Sequence, residues 1–481
     1  MKFYSIATAA GLVSAVVGET IHGVTVFTRH GDRNSKHYSG YQLSPLGITE
    51  NFEVGSDYRD LYIAAGSQKQ ILGISESKYV PSQVYASASD QQVLLNTATA
   101  FLQGLYPPLE DINESPLATQ SINNGSSYTN PLNGYQYVVL HGEDANSPDT
   151  IWLKGDEGCP AAVEAQGTFE ESSEFLALNE STKSFYSQFW GVLKNVYDYE
   201  PELLSYENAY DIFDLINVAS IHNASFTSNV TSEQLFRLRT LADSAEFGTN
   251  YNKTMPARSI GGGSLLGGIF TQLNQTVSSE GKLKFSLLAG SYDNFMASFG
   301  LMNLTSANTD FFGLPAYAST MSFELFTTTD MTTFPSNTDD LKVRFLFRNG
   351  SDAGSQPTVY PLFGGSALSL SWKDFSVQIK QRAITSVGQW CSACSATQSF
   401  CPAPSMITVT EAGAGAGSSG SRMSNTVAGV IGAMVTIGVA LLAGFVFWLA
   451  RRRQSTRGMA TTQVEATPQI EKTKSLESGS T

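Results

Sequence analysis

Apolar positions along this chain keep two different rhythms, and the alternation between them predicts its elements. The mostly apolar run Val24-Thr25-Val26-Phe27-Thr28 predicts a strand buried on both faces. Val84-Tyr85-Ala86-Ser87, Tyr137-Val138-Val139-Leu140 and Phe285-Ser286-Leu287-Leu288-Ala289 read the same way, and 321–326 and 341–347 predict two neighbouring strands. Between them, Leu94, Ala98, Phe101, Leu102 and Leu105 recur at helical spacing over 93–105, and Pro107-Pro108 closes that helix. Leu43-Ser44-Pro45-Leu46-Gly47 opens a helix running through 50–63, and another starts over 293–301. Strands alternating with helices predict an α/β sheet with ligand-binding groups at the strand ends. The polar stretch of about 145–260, with helix-like runs such as Ser232-Glu233-Gln234-Leu235-Phe236, predicts a helical insertion lobe outside that sheet.

The ends are patterned differently. Residues 1–18, with Lys2 before a short apolar run and small residues at its end, read as a secretory signal peptide. A second apolar segment, 427–450, carries no charge and is long enough to span a bilayer with modest tilt. Arg451-Arg452-Arg453 follows it directly, which predicts a single-pass type I topology with 451–481 as a cytoplasmic tail. The expected order is therefore an ectodomain over 19–404, a Gly/Ser-rich stalk over 405–426, one transmembrane helix and the tail. Asn-x-Ser/Thr sequons at Asn124, Asn179, Asn223, Asn229, Asn252, Asn274, Asn303 and Asn349 all precede the span, as expected of a glycosylated extracellular or lumenal region at the cell surface or vacuole. Cys159, Cys391, Cys394 and Cys401 lie on the same side, and an even count there favours two disulfides of undetermined pairing. The competing zinc reading of Cys391-x-x-Cys394 lacks a nearby histidine. The lipid bilayer is thus an expected partner, no metal or cofactor is called for, and oligomeric state is not encoded legibly.

Net charge is −14 with a pI near 4.9, which argues against nucleic acid as a partner. Against that background Arg29-His30-Gly31-Asp32-Arg33, at the end of the first strand, is conspicuous. A histidine between two arginines suits attack on a phosphorus atom, with guanidinium groups holding the anionic oxygens. Gly31 would allow backbone to approach the anion. Such chemistry also needs an acid to protonate the leaving oxygen, and Asp293, after the 285–289 strand, is the candidate. Asp32 and Lys36 are candidates for the pocket rim. His22, His37 and His141 read more readily as packing or surface residues, and Glu324 as a sheet-fixing one.

With these residues stated, the chain resembles the histidine acid phosphatases, the fungal phytase and acid phosphatase branch of the phosphoglycerate-mutase-like superfamily. The resemblance runs through Arg29-His30-Gly31-Asp32-Arg33, Leu43-Ser44-Pro45-Leu46-Gly47 and Ala98 to Pro108, then Cys159-Pro160, Ala318-Ser319, Phe323-Glu324-Leu325, Val343-Arg344 and Asn349-Gly350. It implies an α/β core with a helical lobe, a phosphohistidine formed on His30 without metal, Arg29 and Arg33 clamping the phosphoryl group, and a phosphomonoester as ligand. Two positions depart from the family pattern. Val93 stands where the resemblance implies a further phosphate-binding arginine, and Tyr292 replaces the histidine of a His-Asp pair whose acid, Asp293, is kept. Loss of one oxyanion donor typically costs about 10²–10³ in rate, so reduced activity is expected. Arg59 and Arg344 are candidates to compensate. The alternative expectation is a catalytically degenerate surface glycoprotein that binds a phosphorylated ligand.

Overall fold

In this computed structural model, residues 18–223, 229–352 and 355–402 are described. The predicted signal peptide, stalk, span and tail lie outside them, and among the described residues no helix is long and apolar enough to cross a membrane. The fold is a mixed sheet with helices on both faces and a helical lobe inserted at one end. The elements that matter below are β1 (Thr20–Arg29), α1 (Pro45–Tyr62), β2 (Val84–Ser89), α2 (Gln92–Leu105) and β3 (His141–Glu143). The insertion contributes α3 (Pro160–Glu170), α4 (Ser173–Tyr186), α5 (Ala209–His222) and α6 (Ser232–Asn250). The chain returns to the core through α7 (Ile260–Ser278), β4 (Phe285–Gly290), α8 (Tyr292–Leu301), β5 (Thr320–Thr327) and β6 (Lys342–Arg348). It closes with β7 (Thr358–Tyr360), β8 (Leu370–Ser371), α9 (Trp372–Lys380) and α10 (Val387–Cys394).

Strand order is β8-β6-β5-β1-β4-β2-β3, with β7 also pairing to β6. The β1-β4-β2-β3 half is parallel, whereas β5 and the strands beyond it run antiparallel. Central strands of the parallel half are covered on both faces, which is why β1 and β4 read as nearly continuous apolar runs. One apolar core lies between the sheet and α1 and α2, around Val26, Tyr58, Phe101 and Phe285. A second lies between the sheet and α7, α8 and α9, around Phe27, Leu265, Phe295 and Phe345. The insertion has its own core, which reaches the main body through Tyr292, Met296 and Leu314.

The predicted helices and strands are found at their places, with one exception. Tyr137-Val138-Val139-Leu140 forms no strand; the short edge strand is the next three residues, β3. Tyr137 and Val139 are exposed while Val138 and Leu140 pack on the core, so the run is an extended segment at the sheet margin whose apolarity alone misled. Pairing of the cysteines is Cys159–Cys394 and Cys391–Cys401, so both residues of Cys391-x-x-Cys394 are spent in disulfides. The first ties the start of α3 to α10 across 235 residues. A loop that long makes closing it before folding worth about 3–5 kcal/mol. Of the sequon asparagines, Asn124, Asn223, Asn229, Asn274, Asn303 and Asn349 are exposed, and Asn179 and Asn252 are partly so. Asn113-Glu114-Ser115 is a ninth sequon, and Asn113 is exposed as well.

Candidate active site

Register brings the two halves of the predicted site together. Arg29, the last residue of β1, pairs with Gly290, the last of β4, so the next residues, His30 and Ser291-Tyr292-Asp293, leave adjacent strand ends side by side. The loop after β1 is then pinned to α1. Ser44 caps that helix by accepting from the Gly47 N–H at 3.1 Å, with Pro45 in its first turn. The Gly31 N–H donates to Asn51 Oδ1 at 2.7 Å, and a side chain at residue 31 would collide with the Gly47 backbone. Gly31 is therefore required by packing against α1, and its N–H is committed there; the expected approach to an anion is not what selects it.

His30 is fully buried. Its Nδ1 lies 2.8 Å from the Gly31 carbonyl, which fixes the proton on that nitrogen. Nε2 has no hydrogen-bond partner among the described residues. Burial, then Arg33 and Arg29, hold the imidazole well below its ordinary pKa, which favours the neutral ring. These are the properties of a nucleophile, but the ring is covered. Tyr317 packs against it with centroids 5.7 Å apart. A cavity of about 250 Å³ shares Tyr317 with this cover; its lining includes Arg29, Tyr210, Asp214, Arg239 and Asp352, and not His30.

Both expected clamp residues reach the site, and both already have partners. Arg29 donates to the Pro315 carbonyl and lies over the rings of Tyr317 (4.7 Å) and Tyr292 (5.3 Å). Arg33 is sealed in an ion pair with Asp214 at 3.0 Å and donates to the Tyr210 hydroxyl at 3.0 Å. Sequence reasoning missed Asp214, Tyr210 and Tyr317. Asp214 stands 181 residues from Arg33 on the insertion lobe, and no local pattern announces such a contact.

Tyr292 does not leave a gap where the resemblance implies a histidine. Its ring stacks on Tyr210 at 4.5 Å, and Lys36 Nζ lies 4.6 Å from its centre. Asp293, at the start of α8, keeps Oδ1 buried and without a hydrogen-bond partner among the described residues. Around it gather Lys36, Lys154, Asp156 and Glu246, of which the last three carried no sequence signal. Burial pushes Glu246 up to about 7, with Asp293 adding to the rise, and burial pushes Asp156 up to about 6. Val93, by contrast, is buried in the apolar core that α2 packs into.

The remaining candidates sort by contact. Asp32 is not at the rim: it is fully buried, binding Ser44 and accepting from or pairing with His222 Nε2 at 2.7 Å. His22 packs on Phe334, His37 joins Asp211 at 3.2 Å, and His141 stacks on Tyr85. Arg59 is spent on the Leu105 and Glu76 carbonyls, and Arg344 on Glu324 and Glu19, so neither compensates for Val93 or Tyr292. Glu324 holds Tyr62, Lys69 and Arg344 inside the sheet, a fixing role as expected.

A pH dependence follows from Glu246. Its folded pKa of about 7 lies above the ordinary 4.5, so the folded state holds a proton that the unfolded chain releases in between. That contribution is present in acid and is lost as pH rises through about 7. Urea unfolding at pH 5 and pH 8 should find wild type losing about 1–2 kcal/mol relative to Glu246→Gln over that interval. Parallel stabilities at both pH values would mean that Glu246 ionises normally.

Residues 36–348 match the family model described as the histidine phosphatase superfamily (branch 2). Lysosomal acid phosphatase from Xenopus laevis is 24% identical over 367 residues, covering 73% of this chain and 74% of that one. The Homo sapiens lysosomal acid phosphatase is 26% identical over 357 residues, covering 70% and 73% respectively. Among solved structures, the phytase from Citrobacter braakii superposes with a TM-score of 0.51 at 14% identity, over 76% of this chain and 98% of that one. The matched span holds Tyr292, Asp293, Lys36 and the whole insertion lobe, and the strand ends that carry His30 adjoin it. The chain belongs to the histidine phosphatase superfamily, in its second branch.

Proposed function

We propose that this protein is an acid phosphatase of low turnover that hydrolyses phosphomonoesters through a phosphohistidine on His30. The observation that carries the reading is the state of that ring: Nδ1 committed to the Gly31 carbonyl, Nε2 unpartnered, and the imidazole kept neutral by burial beside Arg33 and Arg29. The downward shift favours the neutral ring, whose Nε2 lone pair is the nucleophile, over the imidazolium that acid would otherwise favour. In the first step Nε2 bonds to phosphorus, the ester P–O bond breaks, and Asp293 gives its proton to the departing alcohol oxygen. In the second, Asp293 takes a proton from water, the water oxygen bonds to phosphorus, and orthophosphate leaves His30. The ring of Tyr317, packed on His30, must swing aside for a substrate to reach Nε2, which supports a slow rate.

A second reading has its own support. Arg33 neutralised by Asp214 and a nucleophile roofed by tyrosine suit a degenerate phosphatase that binds a phosphate-bearing ligand, or serves structurally, without turnover. The deciding experiment is acid-pH hydrolysis of a panel of small phosphomonoesters by the purified ectodomain, with rapid quenching to trap an acid-labile phosphoenzyme. Slow release of phosphate with a trapped intermediate is the expected result. Phosphate binding with no release on any substrate would select the degenerate reading.

The same proposal includes anchoring by 427–450, with the catalytic region extracellular or lumenal and 451–481 in the cytoplasm. The sequons, the disulfides and the lysosomal acid phosphatase relatives support that orientation. In sealed microsomes, added protease should remove an epitope placed on the tail while sparing the ectodomain; protection of the tail would reverse the topology.

A further inference from the structure

Lys36 is the one cation at this site whose charge has no close partner. Arg29 is held by the Pro315 carbonyl, Arg33 by Asp214, and Lys154 by Glu157 at 2.7 Å. For Lys36, among the described residues, no carboxylate lies within 4 Å of Nζ, and the ammonium rests 4.6 Å over Tyr292 and 5.9 Å over Tyr210. Its backbone is fixed, because its N–H donates to Asp214 Oδ2 at 2.9 Å, the carboxylate that also grips Arg33 and Ser35. The side chain therefore leaves a fixed loop to lie over Tyr292, the chain neighbour of Asp293, and its charge acts on both His30 and Asp293.

The sequence lacks two donors that a phosphoryl group would otherwise meet, at Val93 and Tyr292. Val93 sits in apolar core and nothing replaces it there. Position 292 is different, because a cation lies directly against the substituted ring. We propose that Lys36 is the cation that contacts the phosphoryl oxygens in place of the family's histidine at position 292. This rests on the reading of His30 as the phosphoryl acceptor. With the ammonium already against the ring at position 292, a phosphoryl group bound beside Asp293 meets it as a donor. A lysine on a flexible stem can follow the phosphoryl group as it moves from ester to His30, which the short imidazole could not.

The ionisation of Lys36 agrees with such a role. Burial lowers the ammonium to about 8, Asp293 and Glu246 oppose that fall, and Lys154 and Arg33 reinforce it. Together with the faces of Tyr292 and Tyr210, these are the groups that surround it. The contact would then be lost as pH rises through about 8.

The test uses the purified ectodomain with orthovanadate and tungstate as probes, alongside steady-state hydrolysis of a small phosphomonoester. Lys36→Met should weaken oxyanion binding about tenfold and lower kcat/KM by about 30-fold, while Lys36→Arg should restore most of the binding and remove the alkaline fall near pH 8. Lys183→Met, on an exposed lysine of α4, controls for loss of a charge alone. Wild type that binds and hydrolyses, with Lys36→Met unchanged, overturns the role of Lys36 and leaves the phosphatase reading intact. Binding that depends on Lys36 without any turnover upholds Lys36 and overturns hydrolysis. A wild type that binds neither oxyanion overturns both. If Lys36→Met does not fold, Lys36→Arg decides alone: retention of the alkaline fall in binding counts against Lys36.

Discussion

Replacing His30 with alanine should reduce phosphomonoester turnover by at least about 10³, to the level of buffer, and should abolish the trapped phosphoenzyme. The size of the effect follows from the absence of a substitute. His22 is packed on Phe334 at the far end of β1, His141 is stacked at the sheet edge, and His37 is tied to Asp211 and the Tyr197 carbonyl. His222 touches Asp32, but from the outer side of the loop, with its Nε2 already engaged. Stability should change much less, because among the described residues the one side-chain hydrogen bond lost is that to Gly31, within one residue of the ring. Circular dichroism and a thermal melt can therefore separate misfolding from loss of chemistry. Turnover that survives in a folded His30→Ala protein would exclude the phosphohistidine route altogether.

How much of this was legible beforehand depends on the distance over which each feature is determined. β1, α1, α2, β4 and α8 are written locally, in apolar period, in Ser44-Pro45 as a helix start and in Pro107-Pro108 as a stop. Because parallel register then joins Arg29 to Gly290, the pairing of His30 with Asp293 was implicit once both strands were recognised. What the sequence concealed comes from elsewhere in the chain. Asp214, Tyr210 and Glu246 lie on insertion helices, and Tyr317 lies in the loop before β5, so only tertiary packing brings them to the site. Asp32 was misjudged for a related reason: its burial depends on Ser44 and on the end of α5, neither of which a five-residue motif reveals. Gly31 was noticed correctly, but the constraint on it is the neighbouring helix.

Replacing Tyr292 with the histidine that the resemblance implies at this position should raise activity. Tyr292→His is expected to increase kcat/KM at pH 5 by about 10–100-fold, somewhat less than the 10²–10³ that one oxyanion donor commonly supplies. The smaller ring would give up the stack on Tyr210, and in acid it would bring a cation beside Asp293 and Glu246. The gain stays below the full value because Tyr317 still covers His30 and Arg33 remains bound to Asp214. It should also fade as pH rises past about 6.5, where an imidazolium loses its proton. Loss of the aromatic stack costs about 1 kcal/mol of stability, which the fold can absorb. Val93→Arg should give no such gain, since Val93 is 2% exposed within apolar core and a guanidinium there would be buried without a partner. The comparison is decisive in both directions. A rise with Tyr292→His confined to acid would mean that the catalytic frame is intact and held back by one ring, whereas no rise at any pH would mean that the Asp214 pair and the tyrosine roof have closed the site for good.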